Sequence, residues 1–198
     1  MEFHLVYAGG LLKSAGGTNR RAWEKHAIRR HFHFQLKKLW ETHPALNYYA
    51  NKTVEEPGEP PQPFLERLAY AHERGGIGFV PLMTKANGLV CLLDILLLRP
   101  QVGTIVHGGG DIDNRIKLLI DALRMPSDES EIKKREGDDS DPNPMCCLLE
   151  DDGLITNLKV KTDRLLFSME EGQNEACVVI RVETSQIDPF GSPWELHL

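Results

Sequence analysis

Asp111 and Asp113 are the side chains of this sequence best spaced to do chemistry. They stand two residues apart, directly after the run Gly108-Gly109-Gly110, and Lys117 follows one helical turn later. Two carboxylates this close repel each other unless a cation, a proton or a nearby ammonium group compensates them. Oxygen donors of this kind suit a hard divalent ion such as magnesium, which takes one or two carboxylates and keeps several waters. A second acidic group, Glu150-Asp151-Asp152-Gly153, stands at the start of a later strand. Asp151 or Asp152 would complete the set if the two turns meet at one sheet edge. A cation held there would activate a water and stabilise a charged transition state, which is the chemistry of phosphodiester cleavage. Lys117 would then neutralise the carboxylates or contact the scissile phosphate.

The elements that must position these groups are legible around them. Ile112, Ile116, Leu119, Ile120 and Leu123 recur at the three-and-four spacing of a buried helix face. Asn114, Lys117, Asp121 and Arg124 share the opposite face. Asp113 occupies an N-cap position, so helix capping competes with ligation as its role. Earlier in the chain, Phe3 to Ala8 reads as a strand and about Arg20 to Thr42 as a long helix. The proline-rich residues 51–63 read as a loop, followed by a short helix from about Phe64 to Glu73. Ile77–Thr84 and Leu89–Leu98 flank Lys85-Ala-Asn-Gly88 and predict a hairpin. The second arm is apolar enough for a central strand covered on both faces. Asp94 within it is a buried-carboxylate candidate, with an edge position or a local hydrogen bond as the simpler reading. Leu154–Lys161 and Ala176–Glu183 read as the closing strands. This order predicts an α/β (α+β) protein, one compact domain over 1–198 with a mixed sheet packed by helices.

Charge is unevenly distributed. The net value is −6, yet residues 1–52 carry nine Lys/Arg against three Glu, and five of the eight histidines. A basic first third offers a phosphate-binding face despite the acidic total. Its candidate DNA contacts are Arg20, Arg21, Arg29, Arg30, Lys37 and Lys38, with Lys159 and Lys161 from a later strand. Phe32 and Phe34 are either base-stacking or core aromatics. Acidity concentrates at about 126–145, which reads as a flexible insert. Cys91, Cys146, Cys147 and Cys177 fit neither a disulfide framework nor a zinc pattern, and reduced thiols are expected. There is no signal-peptide design, and Leu89–Leu98 is too short to span a membrane. A soluble, cytoplasmic protein is the expectation.

Known Asp-x-Asp patterns separate cleanly. An EF-hand needs an oxygen ligand, Gly and Glu where this chain has Arg115, Ile116 and Ala122. A phosphohydrolase with a nucleophilic aspartate has an apolar strand before the first acid, and here there are glycines. A nucleotidyltransferase places its acids on a strand, whereas the periodicity from Ile112 is helical. In contrast, Asp111-Ile-Asp-Asn-Arg-Ile-Lys-Leu-Leu-Ile-Asp-Ala-Leu123 resembles the D-x-D-N-x-x-K-x-x-x-D-A-L signature of the RusA-like Holliday junction resolvases. Glu150-Asp151-Asp152-Gly-Leu-Ile-Thr-Asn-Leu-Lys-Val-Lys161 is similar to that family's second acidic segment. With the flanking strands, the resemblance covers roughly Leu89 to Glu183.

The resemblance implies a magnesium-dependent endonuclease, with manganese as a substitute, that acts as a homodimer on branched DNA. Asp111, Asp113 and Asp152 match the metal-binding carboxylates, with Asp151 as the alternate, and Lys117 matches the catalytic lysine. The rival readings are a branched-DNA binder without turnover and a nucleotidyltransferase.

Overall fold

The computed structural model describes residues 1–10, 18–55, 58, 60–100, 112–133, 140–166 and 175–187. Strand β1 (Glu2–Gly10) leads to helix α1 (Thr18–Thr42) and helix α2 (Pro44–Ala50). Two short strands, β2 (Thr53–Val54) and β3 (Gln62–Pro63), pair across the proline-rich loop, and helix α3 (Phe64–Ala71) follows. Next come β4 (Glu73–Arg74), β5 (Ile77–Met83), β6 (Leu89–Arg99) and helix α4 (Ile112–Leu123). The chain closes with β7 (Met145–Leu149), β8 (Ile155–Arg164) and β9 (Glu175–Gln186). The mixed α+β class expected from the sequence is the one observed.

Two sheets organise the described residues. One has the order β1-β9-β6-β8, antiparallel except for the parallel pair β6–β8. The other has the order β4-β5-β7, with β5 and β7 parallel. The expected hairpin is therefore absent: Ile77–Met83 and Leu89–Arg99 do not pair but enter different sheets. Asn87 explains the divergence. Its buried side chain accepts from the amides of Thr84 and Leu89, both at 3.0 Å, and donates to the Leu82 carbonyl at 3.1 Å. The Thr84 hydroxyl accepts from the Asn87 amide at 3.0 Å. Gly88, at φ 62°, then takes the left-handed step that an L side chain resists. These bonds satisfy the turn's own backbone, and the chain leaves it toward the second sheet.

Burial exchanges the roles predicted for the two strands. Every residue of β5 is buried, whereas β6 alternates, with Cys91, Leu93, Ile95 and Leu97 inside and Leu92, Asp94, Leu96 and Leu98 half-buried. The main core packs α1, α3 and α4 against one side through Ile28, Phe32, Leu36, Trp40, Leu68, Leu119, Leu93, Ile95 and Ile180. On the opposite side of β5 and β7, Phe79, Met145 and Cys147 meet Met125, just before the acidic insert, with Ile132 of the insert against them.

That second cluster gives the acidic insert contacts with the fold that its composition did not predict. Its described parts, 126–133 and 140–145, are anchored; residues 134–139 lie outside the described residues. Asp128 caps a single 3-10 turn, Glu129–Glu131, through the Ser130 amide at 2.7 Å. Glu131 lies 3.2 Å from Lys25 and 3.0 Å from Arg124. Asp141 meets His26 at 2.9 Å, with both side chains buried. The acids that looked like solvated loop residues are partners for α1 cations. Met145, placed within the insert by its composition, opens the buried strand β7.

Candidate active site

Helix α4 begins at Ile112, so Asp113 lies inside its first turn rather than at the N-cap. A carboxylate there still faces the positive end of the helix. Asp113, Asn114 and Lys117 are exposed, while Ile116, Leu118, Leu119, Ala122 and Leu123 are buried. The helix is thus held by one face and presents an acid and an ammonium one turn apart on the other. Asp111 and the glycine run 108–110 lie outside the described residues.

The second acidic motif forms the tight turn after β7. Glu150 donates its amide to the Met83 carbonyl at 2.9 Å and accepts from the Lys85 amide at 2.7 Å, which ties the turn to the end of β5. Asp151 accepts from the Gly153 amide at 2.8 Å and lies 3.6 Å from the Lys85 ammonium. Capping and pairing therefore engage Asp151 locally. Asp152, the next residue, is exposed. Its charge bears on Arg124, the residue that follows α4. Burial alone would lower the pKa of Arg124, but a hydrogen bond to Glu131 and the charges of Glu131, Asp121 and Asp152 raise it above its ordinary value. A backbone bridge fixes the same junction, with the Met125 amide donating to the Leu149 carbonyl at 2.8 Å. Among the described residues, no group of three His, Cys, Asp or Glu side chains surrounds one point.

The basic helix divides in two. Arg29 is wholly buried, 0% exposed, and cannot reach a DNA phosphate; this corrects its assignment as a DNA contact. Its Nε and Nη2 donate to the carbonyls of Arg124 and Asp121, each at 3.0 Å, at the C-terminal end of α4. Burial pulls its pKa down to about 10. Arg30 is half-buried, with Asp141 at 3.9 Å. Arg20, Arg21, Lys37 and Lys38 are exposed; Arg20 pairs with Glu24 at 3.2 Å and Lys38 with Glu41 at 3.5 Å. On β8, Lys159 lies 3.1 Å from Asp94, and Lys161 is exposed. Asp94 is on the outward face of an interior strand, neither at an edge nor fully buried. Phe32 is core, whereas Phe34 is 67% exposed among these cations.

One feature had no counterpart in the motifs. A cleft of about 500 Å³ opens beside α1 and α2, where His33, Lys37, Trp40, Glu41, Asn47 and Asn51 face Pro142 and Cys146. Pro44 marks the start of α2, as prolines at a first helical turn do, but nothing in the sequence marked the cleft itself. No protein-family model, no curated protein and no solved structure matches this chain. No helix of the described residues is long and apolar enough to cross a membrane.

Proposed function

We propose that this chain is a magnesium-dependent, structure-selective endodeoxyribonuclease of the RusA-like kind, cutting branched DNA as a homodimer. The observation that carries the reading is the exposed pair Asp113 and Lys117, one turn apart on a helix whose other face is locked into the core. Their setting within an extended acid-lysine motif supports it, as does the second acidic turn, whose Asp152 is exposed.

The donor chemistry fits a hard cation, because Asp111, Asp113 and Asp152 are all oxygen ligands. These three would hold Mg²⁺, or Mn²⁺ in its place, and the bound ion would supply water activation and charge neutralisation. The remaining tasks belong to the protein. Asp151 stays with Lys85 and its cap, leaving Asp152 as the donor from that turn. Lys117 places a positive charge beside the scissile phosphate. The exposed Arg20, Arg21, Lys37 and Lys38 bind flanking phosphates, an interaction that weakens steeply with salt.

The test is a synthetic four-way junction incubated with magnesium and either the wild type or Asp113→Asn. Wild-type nicking that disappears in the variant, with junction binding in EDTA retained, supports the proposal. Equal nicking by both proteins overturns it.

A further inference from the structure

We propose that the cleft between α1 and α2 binds a nucleotide, with the base inside and the phosphate on Lys37. On the branched-DNA reading, on which this part rests, the nucleotide is an unpaired one captured from the substrate strand. The volume of about 500 Å³ falls within the roughly 300–1,000 Å³ typical of small-ligand sites.

His33 is the most informative wall residue. It is 3% exposed, and its Nδ1 accepts from the Cys146 amide at 2.9 Å. That bond leaves the ring proton on Nε2. Burial, assisted by the Lys37 charge, holds the ring pKa below its ordinary value, so the ring stays neutral with a fixed donor. Nε2 has no partner among the described residues. The ring lines the cleft, so this N–H is a donor that a ligand bound there can use.

The other walls narrow the ligand class. Asn47 and Asn51 spend their amide N–H groups on the carbonyls of Glu41 and Asn47, at 2.9 and 2.7 Å, which leaves their side-chain oxygens as acceptors. Trp40, Leu65 and Val80 give apolar surface. A flat ring with both donors and acceptors on its edge matches this mixture of one donor and two exposed acceptors better than a purely apolar ligand does. Lys37 is exposed, without an ion-pair partner among the described residues, and supplies the countercharge for an attached phosphate. Phe34, one turn earlier on α1 and 67% exposed, offers a stacking surface for the neighbouring base.

The experiment uses the full chain in EDTA with a DNA duplex bearing one unpaired 2-aminopurine, and an abasic analogue as its control. Fluorescence should change on binding, and Lys37→Glu and Ala50→Phe should each weaken binding at least tenfold while circular dichroism stays unchanged. The abasic duplex should bind as weakly as the variants. Equal affinity for the intact and abasic duplexes overturns the proposal, as does unaltered binding by both variants. Competition by free dAMP at comparable concentration assigns the cleft to mononucleotides and overturns strand capture alone. Because no divalent ion is present, binding is read apart from cleavage. Base-dependent binding without nicking would sink the nuclease reading only, and nicking with base-independent binding would sink this one only.

Discussion

The Arg29 guanidinium, fully buried on α1, donates to the main-chain carbonyl of Arg124 at 3.0 Å and so closes the C-terminal end of α4. The last carbonyls of a helix have no partner within it, and the macrodipole places negative character there. A cation from a neighbouring helix answers both needs. Glu131, 3.8 Å from Arg29, balances the buried charge. Arg29→Ala should therefore destabilise the fold by about 2–6 kcal/mol, because it strands the two helix carbonyls, at about 1–3 kcal/mol for each. Urea unfolding of the two proteins measures this, and a loss below about 1 kcal/mol would remove Arg29 from the role.

Two buried histidines should make stability fall on mild acidification. Burial lowers the pKa of both His26 and His33, in His26 against the opposing pull of Asp141. Their ordinary value is 6.5, so the unfolded chain binds more protons just below that pH than the folded one does. Stability is therefore complete above 6.5 and declines as pH falls toward the depressed folded values. Thermal midpoints measured from pH 7.5 to 5.5 should decrease steadily. His33→Gln, which retains an acceptor for the Cys146 amide, should flatten the slope; a slope unaffected by that change would discharge His33 from it.

Asn87 should be worth more than its exposed-turn sequence context suggests. Its side-chain oxygen serves two amides and its nitrogen serves a carbonyl, all between strands that enter different sheets. Replacing it with Ala leaves three backbone groups unpaired and should cost at least about 3 kcal/mol, at about 1–3 kcal/mol for each group left unsatisfied. Chemical denaturation reads the difference. A loss within 0.5 kcal/mol, roughly the surface-mutation range, would place the turn's stability elsewhere.

Lys117 should matter to catalysis and hardly at all to folding. It is exposed on α4, one turn beyond Asp113. Removing a charge that stabilises a transition state typically costs about 10²–10³ in kcat. Lys117→Ala should show that loss in junction nicking, with an unchanged thermal midpoint and unchanged junction affinity in EDTA. Full activity in the variant would leave the exposed lysine as a solubility feature.

The sequence by itself determined the elements with strong local periodicity. The spacing of Ile116, Leu119 and Leu123 required a helix with Lys117 outside it, because that pattern repeats with the backbone's own period. It also singled out the acidic motifs, whose residue types are unusual side by side. Tertiary structure decided what depends on partners distant in the chain. Nothing local to Arg29 marks it as a buried cap rather than a phosphate contact, since its acceptors come from Asp121 and Arg124. The acids Glu131 and Asp141 look solvated until Lys25, Arg124 and His26 are brought to them. Ile77–Met83 and Leu89–Arg99 carry the pattern of a hairpin, yet a strand buried on both faces needs cover that only a second sheet and the insert provide.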